Sequence, residues 1–512
     1  MAWNGSGTFV RVHNWVSDRD SAINITASRM DAEDDGFAAG LTACLTKNGE
    51  NTATANLPMG GFRHTGVGDA TARNQYGTVG KLQDSGHTYA ADSGAADAYV
   101  IAPSPAITAY AAGQQFIMNA ANTNTGASTV NVNGLGAKSI VNANNEALSR
   151  NEIVSGRTYI LTYDGTAFQL TSPKVSAKKN IVLNGDFQVW PEGTSFTGVA
   201  NADHSAAQWL WEQSGAGVAD VAQITTALPT VAEAGRLITS AIQVDVTTAN
   251  ATLAAGDHCT LRTRIEGYAY AQIAQRPMVL SFWHKHTKTG AYCVSLRNTG
   301  NDRSYIAEYT QSVSDTWERA EIPITASPSA GTWDYTTGIG LRLDFTIASG
   351  TNLHTTADAW QTGNFRSTSS QVNGMDAATN FFRIAGVQLE AGSVATEFEQ
   401  DRYEDVLAAT KRYYQLLPGT GINGYAASTS RARVSFLHEA EMRVAPTVTL
   451  VDTTPNLLYR GTSQNGVSST IANSTISSQG ARLEIDGFTG LTIGEGTMFN
   501  QLNILFEIDA RL

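Results

Sequence analysis

Apolar and polar positions alternate with a period of two along most of this chain, and a helical period shows at only a few places. Near the start, Thr8-Phe9-Val10-Arg11-Val12 predicts a short strand. Residues 25–45 predict a helix: Thr26 is placed to cap it, Phe37, Leu41 and Leu45 recur every four residues, and Met30 and Phe37 are seven apart. Gly36 and Gly40 each weaken an isolated helix by about 1 kcal/mol, so this helix needs partners. The run 56–66 has too many glycines for a helix and reads as an extended, shape-specific loop; residues 70–76 then lead to a second short helix ending near Leu82.

Residues 86–97 read as a linker by composition. A second unit, 98–172, carries short strands near 99–102, 115–118, 129–132, 158–163 and 167–170, with Asp164-Gly165 as a hairpin turn. The third unit, 180–402, has strands near 208–213, 218–225, 237–246, 259–272, 277–286, 291–297, 303–311, 316–324 and 338–347. Turns at roughly ten-residue spacing predict a sandwich. The last unit, 403–512, opens on Tyr403, Val406, Leu407, Thr410, Tyr413, Tyr414 and Leu417, one apolar helical stripe that could meet two copies of itself on a three-fold axis; Pro418-Gly419 stops it. Strands are expected at 431–437, 447–451, 481–485 and 500–508.

Composition supports this division. A chain of 512 residues can bury several cores. Charged residues are 16 %, against roughly 25 % in ordinary soluble proteins, and small polar residues with 47 glycines fill the gap, as in turn-rich β-structure. The net charge is −12 and no basic cluster exceeds Lys178-Lys179, which disfavours nucleic acid and anionic membrane as partners. Three widely spaced cysteines, Cys44, Cys259 and Cys293, suggest buried thiols rather than a disulfide framework or zinc site. No apolar run reaches the roughly 18 residues of a membrane span. The first residues lack the plan of a signal peptide, so the expected origin is a cytoplasm.

Four stretches carry a family resemblance. Gly386-Val387-Gln388-Leu389-Glu390-Ala391-Gly392-Ser393, followed by Thr396-Glu397-Phe398-Glu399, resembles the closing segment of bacteriophage tail-fibre jelly rolls. With Asn184-Gly185-Asp186, Trp209, Ser281-Phe282-Trp283 and Trp317-Glu318, residues 180–400 resemble the jelly rolls of carbohydrate-binding modules found in such fibres. Residues 25–33, 56–68 and 69–76 resemble a tail-fibre N-terminus, and Lys411-Arg412-Tyr413-Tyr414-Gln415 with 442–448 resembles a small β-domain that ends many fibres. The resemblance implies a mainly β, elongated, homotrimeric fibre of the virion tail. Residues 1–90 would attach to the tail, baseplate or an adaptor, 98–172 would space and trimerise, and the jelly roll and tip would bind bacterial surface polysaccharide. A polysaccharide-degrading tailspike, or a fibre carrying a separate receptor-binding protein, are the alternatives.

Candidate chemistry is aromatic. Sugar rings present apolar C–H faces that suit indole. In 278–286, period two puts Met278, Leu280 and Phe282 on one face, and Val279, Ser281, Trp283 and Lys285 on the other. Trp283 beside Lys285 would then look onto a groove, unless it packs in the sandwich or a subunit interface. Trp333, Tyr335 and Trp360 fall in loops, as candidate sugar contacts or inter-subunit packing. His284 and His286 share a face with no third ligand nearby and read as a structural pair; Trp209 is expected in the core. Asp186 and Glu390, on the first and last strands of the jelly roll, are candidates for a structural calcium by analogy with related modules. No cofactor is otherwise implied. No nucleophile elbow, phosphate loop or zinc-hydrolase motif occurs, although Glu308, Glu318 and Asp334 leave carboxylates for glycoside cleavage. No residue is assigned a catalytic role.

Overall fold

The structure, a computed structural model, describes residues 4, 8–44, 53, 56, 59–142, 145–148, 150–171, 179–420, 422–460, 462–499 and 503–512. The chain divides into two compact units, Met1–Asp84 and Ser85–Leu512.

The first unit holds helices Trp15–Asp20, Ala27–Thr42 and Val79–Gln83. The 25–45 helix forms as Ala27–Thr42, with Thr26 at the N-cap position but making no side-chain cap bond. The preceding chain crosses it at Gly36, where a Cβ would lie 2.8 Å from Val12 Cγ2. Buried Glu33 fixes that crossing by accepting from Arg11 Nε (2.9 Å) and His13 N (2.8 Å). The strand expected at 8–12 is reduced to a bridge at Phe9, whose ring stacks on Phe37 at 5.4 Å. Part of the 56–66 loop and the end of the expected helix, Leu45, lie outside the described residues. Among the described residues of this unit, Ala70 is the single buried hydrophobic, whereas Phe62, Tyr76, Leu41 and Leu82 are largely exposed.

The second unit begins with a seven-stranded sheet. Its spatial order is Tyr89–Ala91, Gln115–Asn119, Thr158–Tyr163, Phe168–Leu170, Lys138–Val141, Ser128–Val132, Ala98–Ile101. The 86–97 stretch is therefore not simply a linker. Its small residues let Tyr89–Ala91 add in parallel to Gln115–Asn119.

Two six-stranded sheets follow. The first runs Glu318–Ile324, Met278–His286, Phe381–Ala391, Ala241–Thr248, Val218–Ile224, Ser195–Phe196. The second runs Trp360–Thr362, Arg303–Gln311, Gly290–Arg297, Ile339–Ser349, His258–Glu266, Trp209–Ser214. Inward side chains of both meet in one core: Leu280 and Phe282 face Leu343 and Phe345, with Trp209 and Trp211 fully buried at one side. Burying each such side chain is worth about 1.5–3 kcal/mol. The expected strands are present, except that 259–272 breaks after Glu266 into a short helix, Gly267–Tyr270. His284 and His286 point inward. His284 Nδ1 lies 2.9 Å from Gln311 Oε1, and His286 stacks on Phe382 at 4.0 Å.

The segment before the first sandwich strand runs beside the last one. Ile181 N donates to Leu389 O (3.1 Å) and Val387 N to Gly185 O (2.8 Å). The opening and closing motifs are thus physically adjacent.

The C-terminal part packs a three-stranded and a seven-stranded sheet around its own core. The helical stripe expected over 403–417 stops sooner: the helix is Tyr403–Lys411, and Tyr414–Pro418 is a strand paired with Ile504–Asp509. Two tyrosines of the stripe serve other contacts. Tyr413 donates to Glu266 Oε2 (2.5 Å), and Tyr414 lies under the Arg511 guanidinium at 4.1 Å. Arg412 adds a two-pronged contact to Glu266, so this part docks on the sandwich through defined polar bonds.

Candidate functional site

The outward face of the second sandwich sheet carries a charged layer. Asp344 is fully buried there and accepts from Arg262 (Nη2, 3.1 Å) and Arg297 (Nε 3.0 Å, Nη2 2.7 Å), with Arg366 Nη1 at 3.7 Å. Glu212 takes Arg366 Nη2 at 2.8 Å and pairs with Arg262. Burial alone would raise the Asp344 carboxyl, but the arginines, Arg262 foremost, hold it well below the ordinary range. Residues 351–372 lie across this layer: Thr346 Oγ1 donates to Arg366 O (2.9 Å), and Thr368 N approaches Cys293 Sγ (3.4 Å). Three arginines thus share two carboxylates, and the layer is closed off from solvent.

The corresponding face of the first sheet is closed as well. Trp283 is 8 % exposed and packs with Ile238, Ala241 and Ala385, under Leu228, Ala234 and Trp317. The segment 225–240 supplies the cover, tied down by Trp317 Nε1 donating to Ala227 O (2.8 Å). Period-two reasoning placed Trp283 on the correct face, but that face is filled rather than open. Lys285 beside it pairs with Asp315 at 2.9 Å.

The loop aromatics behave differently, because they converge. Trp333 lies on the loop entering Ile339–Ser349, Trp360 on a three-residue edge strand opposite Tyr305, and Tyr270 ends the short helix after His258–Glu266. Tyr270 is buried between two rings: Trp333 stacks at 5.3 Å (20°) and Tyr335 at 6.1 Å (7°). Trp360 meets Trp333 edge-on at 5.7 Å and Tyr305 at 5.5 Å. Their polar edges are anchored in the protein. Trp333 Nε1 donates to Ala330 O (3.1 Å), Trp360 Nε1 to Thr325 O (3.0 Å) and Tyr270 Oη to Ser327 Oγ (2.8 Å).

Local sequence explains the convergence. Asp334 Oδ1 accepts from Thr336 N (2.7 Å), Thr336 Oγ1 (2.9 Å) and Gly338 N (3.3 Å), a side-chain-closed turn. These bonds, the Thr336 N–H first, hold the Asp334 carboxyl below its ordinary value. Gly267 is required where this turn meets the helix: its Cβ would fall 2.5 Å from Thr336 N and 2.7 Å from Asp334 O. Tyr268 N donates to Thr336 O (2.9 Å), which sets the exposed Tyr268 ring beside the turn. Arg443 of the C-terminal part donates to Thr337 O and braces the loop from its far side.

The result is a rigid aromatic cluster with outer rings open to solvent. Tyr335 is 37 % and Tyr268 55 % exposed, and the Trp333 and Trp360 rings are half-buried. Flat apolar faces beside the Asp334 carboxylate suit a ligand with C–H faces and hydroxyls. Three expected residues, Trp333, Tyr335 and Trp360, come together here; Trp283 and Lys285 do not. Tyr268 and Tyr270 were missed because their Gly-Tyr-Ala-Tyr run read as the end of a strand. The leading Gly267 was the signal that could have found them.

The carboxylates considered for other chemistry are committed elsewhere. Glu318 accepts from Ser312 N (2.9 Å) and Val313 N (2.7 Å), and Glu308 accepts from Thr368 Oγ1. Glu390 accepts from Thr396 N (2.7 Å), Thr396 Oγ1 and Gln388 Nε2, and Asp186 from Gln188 Nε2. Burial raises the Asp186 carboxyl. Among the described residues, no group of three His, Cys, Asp or Glu side chains is placed to hold a metal, and Asp186 and Glu390 form none.

No family model and no curated protein matches the chain. Solved structures do match. An apo-form cyclase from Fischerella sp. is 10 % identical over 44 % of this chain and 100 % of its own, with a TM-score of 0.25. TmCBM61 in complex with β-1,4-galactotriose is 10 % identical over 42 % and 100 %, TM-score 0.22. The family 11 carbohydrate-binding module from Clostridium thermocellum, in complex with a mixed-linked tetrasaccharide, is 10 % identical over 40 % and 100 %, TM-score 0.21. Likeness at this level carries no argument about fold or ligand, both of which rest on the strand pairing and side chains above.

Proposed function

We propose that this chain is a bacteriophage tail fibre that binds a bacterial surface polysaccharide, through the aromatic cluster at the loop end of its sandwich. The observation that carries the binding reading is the convergence of Trp333, Tyr335 and Trp360 around Tyr270, with Tyr268 and Tyr335 open to solvent. Anchored rings bind saccharides without losing side-chain entropy on contact, and weak single contacts gain from several copies on one particle. The fibre reading is supported by the tail-fibre resemblance of 25–33, 56–76 and 386–399. It is supported separately by the N-terminal unit. A helical segment that buries so little apolar surface among its described residues is suited to assembly, as a homotrimer and against a tail protein.

Binding is tested by titrating purified wild type and Y335A/W333A with polysaccharide stripped from susceptible host cells. Loss of at least about ten-fold in affinity is expected. Equal affinity of the two proteins would remove the aromatic cluster from the reading. Mass photometry tests assembly: a three-chain mass is expected, and a monomer at micromolar concentration would overturn the fibre architecture.

A further inference from the structure

Between the seven-stranded module and the sandwich lies a cleft of about 430 Å³. Its two walls are joined by Asn151 Nδ2 donating to Ala395 O (2.6 Å). Arg157 lines it from the module side, and Lys179 and Arg276 from the sandwich side. Ile181, Ile273 and Val394 give it an apolar floor. Its one carboxylate, Glu390, is 2 % exposed and already saturated by Thr396 and Gln388. The Arg157 and Lys179 side chains make no ion pair or hydrogen bond among the described residues, and Arg276 makes only a 3.4 Å contact to Gln272 O. Three exposed cations thus share one concave site with a single lining carboxylate, Glu390, so the lining is net positive among the described residues, on a chain of net charge −12; Glu399 lies nearby, held by the Lys179 and Asn180 N–H groups. Like charges brought together in excess of their counter-charge leave a positive potential that an anion would complete. An apolar floor beside that charge fits the C–H face of a ring bearing the anion.

We infer that this cleft binds an anionic saccharide unit, a pyranose carrying a carboxylate or a phosphate, held by Arg157, Lys179 and Arg276. The saccharide part rests on the proposed polysaccharide binding; the anionic part rests on the cleft alone. Arginine forks match both oxyanions, and pockets at domain junctions are common binding sites.

The test uses the full chain and calorimetric titration with four probes: trigalacturonate, its methyl ester, glucose 6-phosphate and inorganic phosphate. Binding of trigalacturonate or glucose 6-phosphate is expected, identifying carboxylate or phosphate as the source. R157A/R276A should weaken it by roughly ten-fold or more, and R157K/R276K should recover most of the loss. Both arginines are exposed, so neither change threatens the fold. W333A should bind these anions as wild type does, which separates this cleft from the aromatic cluster. Four outcomes would overturn the inference: the neutral ester binding as tightly as the acid, inorganic phosphate matching the sugar phosphate, neither anionic sugar binding, or W333A losing as much as R157A/R276A.

Discussion

Asn180 holds Leu389 as a neighbouring strand would. Its Oδ1 accepts the Leu389 N–H at 3.1 Å, while its Nδ2 reaches back to Val387 O at 3.1 Å. The backbone continues the seam one residue later, where Ile181 N donates to Leu389 O. A side-chain amide thus closes the sandwich where the chain enters it. Glu399 clamps the same point from outside by accepting from Lys179 N (2.7 Å) and Asn180 N (3.0 Å).

Asn180 Oδ1 also accepts from Val182 N (3.0 Å), so Asn180→Ala removes the side-chain partner of two buried donors and one buried acceptor together. The expected cost is about 3–5 kcal/mol, since each of the three buried groups left without its partner costs roughly 1–3 kcal/mol. Urea denaturation followed by tryptophan emission reads it, because Trp209 and Trp211 sit in the core this seam closes. A change below about 0.5 kcal/mol, the usual scatter of surface substitutions, would show the seam to be redundant.

Much of the sandwich was legible in the sequence, and the reason is local. Strands such as Met278–His286 announce themselves by side-chain alternation, and the sandwich strands fall close to where the pattern put them. What sequence missed depends on partners far along the chain. The 403–417 stripe is periodic enough for a helix, yet Tyr414–Pro418 finds its ladder at Ile504–Asp509, and no local pattern reveals that pairing. Trp283 was placed on the right face, but its cover comes from 225–240. Trp333, Tyr335 and Trp360 were singled out one by one. Their meeting on Tyr270 depends on how three separate loops close.

Asp344 is the centre of the buried charged layer, so its removal should cost more than that of any surface acid. Asp344→Asn leaves Arg262, Arg297 and Arg366 facing one another with Glu212 as their remaining counter-charge. Breaking a buried pair typically costs 3–5 kcal/mol. Chemical denaturation should show a loss of about that size, against roughly 0–1 kcal/mol for Glu495→Gln, which removes an exposed pair with Arg460. Similar losses in the two variants would mean that the layer is hydrated rather than tightly paired.

Acid should weaken the fold from pH 6.5 downward. Burial lowers His204 to about 3 and His258 to about 4, and it also lowers His284 and His286. All four are neutral in the folded chain, while the unfolded chain takes up protons near pH 6.5. Their contribution to stability is complete above that pH and is lost as pH falls toward the folded values. Each contributes a slope of up to about 1.4 kcal/mol per pH unit. The urea midpoint should fall steadily between pH 7.5 and 5, and less steeply in His286→Phe, whose ring can keep the stack on Phe382. A midpoint independent of pH over that range would contradict the neutral burial of these histidines.

Tyr270 supports the candidate site from beneath, and its effect should be separable from direct contact. Tyr270→Ala removes the ring on which both Trp333 and Tyr335 rest, so the indole should become mobile. Acrylamide quenching of tryptophan emission should rise and polysaccharide affinity should fall by roughly ten-fold or more, as expected for a hot-spot aromatic. Tyr270→Phe keeps the stack and loses the bond to Ser327 Oγ, which still accepts from Gln275 N at 2.9 Å. It should therefore bind nearly as wild type does. Tyr335→Ala removes an exposed ring and uncovers one face of Tyr270 but keeps the Trp333–Tyr270 stack, so it should lower affinity and leave quenching unchanged. If Tyr335→Ala binds normally while Tyr270→Ala does not, the ligand rests on Trp333 and Trp360 rather than on the outer tyrosine. If both bind normally, the cluster is packing and the sugar contacts lie elsewhere on the chain.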